Sequence, residues 1–134
     1  MFPPMPFLDV TPNLLVRDVA KSLAFYRDVL GFEVVATMPP DSSSFVFAWV
    51  KRDGVNVFLN DATTAGDEYD ALKGKPIGAS LTIYVTMTDI DDYFARVFPH
   101  AKVEAQLETK FYGMREFAIV DPDGYVLTFA EEKH

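Results

Sequence analysis

Apolar residues recur along this chain with two periods, and the switches between them outline the elements. Thr11 to Val16 is a strand-like run entering Asp18, a residue type suited to a helix N-cap. After Asp18, the residues Val19, Leu23, Tyr26 and Leu30 recur at helical spacing, and Gly31 stands where such a helix stops. Phe32 to Ala36 reads as a strand and Pro39-Pro40-Asp41-Ser42-Ser43-Ser44 as a loop. Phe45 to Val50 and Val55 to Asn60 read as two strands joined by Lys51-Arg52-Asp53-Gly54, a hairpin signal. The order of elements is β-α-β-β-β.

The same order returns after a glycine- and proline-bearing stretch, 61–79, with a short helical turn expected around 67–72. Leu81 to Met87 is a strand. Asp89 heads a helix with Ile90, Tyr93, Phe94 and Val97 on one side, ended by Pro99. Val103 to Leu107 is a strand, and Arg115 to Val120 pairs with Tyr125 to Ala130 around Asp121-Pro122-Asp123-Gly124. The repetition is visible in the residues. Phe47-Ala48, Asp53-Gly54 and Phe58 recur as Phe117-Ala118, Asp123-Gly124 and Thr128, a shift of 70 positions. The expected fold is α+β: two tandem β-α-β-β-β modules whose mixed sheets curve into a cup with the helices outside. One domain spans 1–134, with module one at about 9–62, a linker at about 63–79 and module two at about 80–131.

Composition narrows the function classes. A net charge of −8 opposes nucleic-acid binding, which needs a basic face, and suits a neutral or cationic small-molecule partner. Cysteine is absent, which excludes disulfides and thiol chemistry, and only two histidines occur, His100 and His134. No apolar run approaches a membrane span. The opening Met1-Phe2-Pro3-Pro4-Met5-Pro6 lacks the basic region and apolar run of a secretory signal, so a cytoplasmic location is expected.

The string from Leu15 through Val16-Arg17-Asp18-Val19 to Phe25-Tyr26-Arg27-Asp28-Val29-Leu30-Gly31-Phe32 resembles the first-module signature of the glyoxalase/bleomycin resistance protein/dioxygenase superfamily, the vicinal oxygen chelate proteins. Asp121-Pro122-Asp123-Gly124-Tyr125-Val126-Leu127 resembles the second-module signature. The resemblance implies paired β-α-β-β-β modules. In the metal enzymes of that superfamily, ligands occupy four equivalent inward positions, which fall here on Thr11, Thr82, Thr128 and, through the repeat, Phe58. Three hydroxyls and a phenyl ring are a poor donor set for zinc, iron or nickel. No metal, cofactor or metal-dependent chemistry is therefore expected, and the resemblance is closest to the metal-free bleomycin-resistance-like branch.

Strand alternation then nominates a lining. If Phe58 and Thr128 point into the cup, the hairpin partners add Phe45, Phe47 and Trp49 in one module and Arg115, Phe117 and Ile119 in the other, with Tyr84 beside Thr82. The candidate ligand-binding set is Phe45, Phe47, Trp49, Phe58, Tyr84, Arg115, Phe117 and Thr128. Arg115 is open to two readings, a ligand contact or a salt bridge with an acid, and a one-residue slip would reverse its face. Because both faces of these strands are apolar, the second face is covered by the other module, a second subunit or a ligand. The leading expectation is a small-molecule binder for an aromatic or cationic ligand, homodimeric as the resemblance implies. The alternative is a metal-independent isomerase or lyase on a small carbonyl compound, with Tyr84, Arg115 or Glu116 as acid–base groups. A dimeric scaffold without a ligand is a third reading.

Overall fold

In a computed structural model, residues 3–40, 44–78 and 80–133 are described; residues 1–2, residues 41–43 of the expected loop, Ala79 and His134 lie outside this set. Module one contains β1 (Asn13–Val16), α1 (Val19–Ala24), β2 (Glu33–Met38), β3 (Phe47–Arg52) and β4 (Val55–Asp61). A connecting helix α2 (Ala62–Glu68) and a 3₁₀ turn (Asp70–Leu72) follow. Module two contains β5 (Thr82–Thr86), α3 (Ile90–Val97), β6 (Lys102–Thr109), β7 (Met114–Val120) and β8 (Val126–Glu132). The two sheets have the same order, β1-β4-β3-β2 and β5-β8-β7-β6, with the first pair parallel and the others antiparallel. No helix among the described residues is long and apolar enough to cross a membrane.

Local chemistry explains the element ends. The Asp18 carboxylate accepts a hydrogen bond from the Lys21 amide, the N-cap geometry expected of it. Beyond α1 the backbone widens into a π-helical turn over Phe25–Val29, closed by Leu30 N–H donating to the Phe25 carbonyl at 3.2 Å. Gly31 follows with φ of +84°, and a Cβ there would run into the Arg52 guanidinium. Asp89 departs from expectation. It sits at the head of α3 with φ of 61° and makes no side-chain cap. The Glu131 carboxylate caps α3 instead, accepting from the Asp89 and Ile90 amides at 3.1 and 3.2 Å. A side chain from the neighbouring strand thus does the work of the local residue.

The helix-facing sides of both sheets join in one apolar core that includes Leu14, Val50, Leu59, Tyr26, Tyr93, Phe117, Leu127 and Phe129. The modules are fastened by the β7–β8 turn. The Asp123 carboxylate accepts from the Arg17 amide at 2.9 Å and the Ser22 hydroxyl at 3.0 Å. The Asp121 carboxylate accepts from the Tyr26 hydroxyl at 2.8 Å and from the Asp123 and Tyr125 amides at 2.9 and 3.0 Å. The Tyr125 hydroxyl donates to the Leu15 carbonyl at 2.8 Å. Gly78 passes so close to this turn that a Cβ would overlap the Asp123 carbonyl oxygen.

Burial holds the Asp121 carboxyl above the usual carboxylate range, although its three hydrogen bonds favour the charged form. The folded state therefore binds that proton more tightly than the unfolded chain. Asp121 adds stability below the ordinary carboxylate pKa and loses that contribution as pH rises through its folded value. Asp121→Asn keeps an acceptor for the two amides and removes the charge. Its stability relative to the parent should rise in thermal melts as pH increases through and above the ordinary carboxylate range. A difference that does not change with pH would remove the buried charge from the account.

Candidate functional site

Each sheet has one face in the core and one facing away from it. On sheet one the outward face carries Phe47, Trp49 and Phe58. The Phe47 and Phe58 rings lie 5.2 Å apart, and Trp49 meets Phe58 edge-on at 6.0 Å. The Trp49 indole N–H donates to the Asn56 side-chain carbonyl at 2.8 Å, and the Asn60 side chain bonds to Asn13 on the same face. All three rings are half-buried. They form an aromatic platform rimmed with amides, and among the described residues no ring from the second module meets it.

On sheet two the outward face carries Thr82, Tyr84 and Thr86 of β5, Thr128 of β8, and Glu116 of β7. Glu116 is 8% exposed. Its carboxylate accepts from the Tyr84 hydroxyl at 2.6 Å and the Tyr112 hydroxyl at 2.9 Å. The hydrogen bond to Glu116 pushes the Tyr84 phenol up to about 12, and the same partner raises Tyr112. Both phenols therefore stay protonated at neutral pH and act as donors. Among the described residues, no hydrogen bond or ring contact joins this face to the aromatic platform of sheet one, and Tyr84 remains 52% exposed.

Phe47, Trp49, Phe58, Tyr84 and Thr128 thus lie on the outward faces. Four expected lining residues do not, among them Ile119, which is fully buried in the core. Phe117 is 1% exposed and stacks on Phe129 at 5.2 Å, with Phe94 edge-on at 4.9 Å, inside the core. Arg115 faces α3, where its Nε and Nη2 donate to Asp91 at 3.0 and 2.8 Å; of its two readings, the ion pair is correct. Phe45 precedes β3 and packs against the core.

The cause of the Phe117 and Arg115 corrections is one residue in a turn. In module one, β3 and β4 close on Asp53-Gly54, with Arg52 opposite Val55 and Trp49 opposite Phe58. In module two the strands continue through a backbone bond from the Asp121 amide to the Tyr125 carbonyl, leaving three turn residues, and Ala118 stands opposite Thr128. The repeat therefore holds at 70 positions on the last strand but at 69 on the strand before it. Matching Phe47-Ala48 to Phe117-Ala118 slips β7 by one residue, which exchanges its faces. Glu116, not Phe117, is the counterpart of Phe47. The turn lengths were the signal that could have found it.

A family model of the Glyoxalase/Bleomycin resistance protein/Dioxygenase superfamily matches residues 10–129. The chain belongs to this superfamily. An uncharacterized protein of Mycobacterium tuberculosis is 28% identical over 123 residues, which cover 87% of this chain and 69% of that protein. A bleomycin resistance protein of Staphylococcus aureus is 25% identical over 134 residues, covering 93% of this chain and 97% of the relative. The crystal structure of TnmS3, an antibiotic binding protein from Streptomyces sp. CB03234, superposes with a TM-score of 0.75 at 22% identity, covering 97% of this chain and 100% of that one. The superfamily's chelating positions do not fit a transition metal here. Thr82 and Thr128 stand on β5 and β8, Phe58 on β4, and Thr11 just before β1, and none offers imidazole or carboxylate. No metal-dependent step is derived from them.

The face assignment can be checked by stability. Phe117→Ala, inside the core, should cost about 3–5 kcal/mol, whereas Phe58→Ala on the open platform should cost less than about 2 kcal/mol. Urea denaturation of both variants decides it, and equal losses would count against the assignment.

Proposed function

We propose that this protein binds a small aromatic or cationic molecule between the two outward faces, without metal, and that a second copy of the chain brings the faces together. The observation that carries this reading is the pairing of complementary surfaces left open in one chain. An aromatic platform of Phe47, Trp49 and Phe58 supplies ring faces. The opposite module supplies Glu116, a carboxylate nine-tenths buried and aimed by two tyrosine hydroxyls. Ring faces and a fixed carboxylate are the two groups that recognise a planar cation. The similarity to a bleomycin resistance protein over nearly both lengths supports a drug-like ligand of that kind. The net charge of −8 favours approach of a cation.

Two copies are favoured because the faces do not meet within one chain. The arm before β1 adds apolar surface of the same sort: Phe7 is 98% and Leu8 93% exposed. Such surface is ordinarily covered by a partner. The cytoplasm suits a binder that intercepts a drug before it reaches its target.

The enzymatic alternative rests on Tyr84 and Glu116, 2.6 Å apart, acting on a small carbonyl compound. Arg115 leaves that scheme because it is committed to Asp91. With Tyr84 held near 12, the phenol donates a hydrogen bond but makes a poor proton shuttle at neutral pH, which favours binding over turnover.

Titration with a bleomycin-type glycopeptide should quench the emission of Trp49, the single tryptophan, with saturation at micromolar ligand. Glu116→Gln should weaken that binding by about tenfold, the loss expected for one charge-assisted contact. Light scattering should give twice the 15.0 kDa chain mass. A monomer with an unchanged emission spectrum throughout the titration would end this proposal.

A further inference from the structure

The pseudo-twofold that relates the modules creates two junctions between them, and only one is filled. At the filled junction the β7–β8 turn meets the end of β1. Asp123 is buried there, and the Tyr125 ring occupies the space, with its hydroxyl on the Leu15 carbonyl. At the other junction the β3–β4 turn meets the end of β5. Counting back from the last strand makes Val55 the counterpart of Tyr125 and Asp53 that of Asp123, and carrying the offset between β1 and β5 into the helices that follow puts Tyr93 against Ser22. Val55 is too short to fill the space. The Asp53 side chain is 93% exposed, and its one ion pair among the described residues is a 4.0 Å contact with Arg52. The Tyr93 hydroxyl turns away, to the Leu30 carbonyl at 2.8 Å.

The result is a cleft of about 600 Å³ between the β3–β4 turn and the β5–α3 connection, within the roughly 300–1,000 Å³ of small-molecule sites. Its floor is apolar, formed by Phe32, Val55, Val85, Phe129 and the Tyr93 ring. Its rim carries charges of both signs. The Arg52 guanidinium lies over the Tyr93 ring, 5.0 Å from its centre, and is anchored by donation to the Leu30 carbonyl at 2.6 Å. Arg96, Asp89 and Asp92 stand on the same rim, and none of these three side chains has a partner among the described residues. Apart from the 4.0 Å contact of Arg52 with Asp53, the cations and carboxylates around this apolar floor do not pair with one another, which matches a ligand that itself carries both charges.

We propose that this cleft is a second binding site, for a zwitterionic aromatic compound of the aromatic amino-acid kind. The ring occupies the space that Tyr125 fills at the other junction. The carboxylate meets Arg52 and Arg96, where guanidinium geometry suits it, and the ammonium meets Asp89 and Asp92. The site shares no residue with the Phe47, Trp49 and Phe58 platform or with Glu116, and it stands whether or not that platform binds a drug.

The test is an amide-shift titration of ¹⁵N-labelled protein with L-phenylalanine, with phenylacetate and phenethylamine as compounds that each lack one charge. Saturable shifts at Gly54, Val85 and Tyr93 are expected with L-phenylalanine, and weaker binding with both controls. Arg96→Ala, an exposed helix position, should lower the affinity by about tenfold. Val55→Tyr builds into the cleft the ring that the other junction already has, and should abolish binding while the bleomycin titration of Trp49 is unchanged. No saturable shift at concentrations on the order of 10 mM would overturn the proposal. So would controls that bind as tightly as the amino acid, or an Arg96→Ala protein that binds like the parent.

Discussion

Two buried aspartates in a single turn hold the halves of this protein in their arrangement. Asp121 and Asp123 lie in the β7–β8 turn of module two, yet their carboxylates are satisfied largely by module one, through Tyr26, Ser22 and the Arg17 amide. Burying a carboxylate is costly unless every acceptor finds a donor. The donors sit at the end of β1, along α1 and in the π-helical turn, so the whole first module must be in register for both aspartates to be satisfied. An apolar core alone tolerates sliding. A pair of directional, charge-assisted contacts at its edge does not, and in that way the lock selects one docking of the modules.

That docking decides what remains available for function. Joining the modules through their helix-facing sides consumes Tyr26, Tyr93, Phe117 and Phe129 in the core. It leaves the opposite faces of both sheets outward, one aromatic and one carrying a fixed carboxylate. The polar residues on these faces are not idle surface. Trp49 is oriented by Asn56, and Glu116 by Tyr84 and Tyr112. A side chain oriented in this way loses less conformational freedom on binding, which favours affinity without added contact area.

The fold was legible in the sequence because its signals are local. Asp18, Gly31 and the two Asp-Gly turns mark element ends, and alternation along β3 and β4 placed Phe47, Trp49 and Phe58 on one face as the structure does. The second half of the site was not legible by the same route. A repeat seen in residue identity assumes equal turn lengths, and the β7–β8 turn holds three residues where its counterpart holds two. Identity matched Phe117 to Phe47; hydrogen bonding matches Glu116 to it. Arg115 could be read either way from sequence because nothing in β7 itself reveals Asp91 on α3 as its partner. The capping of α3 by Glu131 was hidden for the same reason, since the donor and acceptor are about 40 positions apart.

The extra turn residue links these observations. It lets the Asp121–Tyr125 turn reach across to module one, placing Asp123 on Ser22 and Tyr125 on Leu15. The tighter Asp53-Gly54 turn cannot make the reciprocal reach, and Val55 offers no ring to fill the gap. A duplicated unit with two identical turns would present two equivalent junctions, both locked or both open. Here the longer turn fastens one junction, the short Val55 leaves the other a cleft, and the extra turn residue exchanges the faces of β7 and brings Glu116 outward. The outward placement of the carboxylate follows from the turn residue alone, whereas the open junction also depends on the short Val55, so a ring at position 55 would close the cleft and leave Glu116 outward.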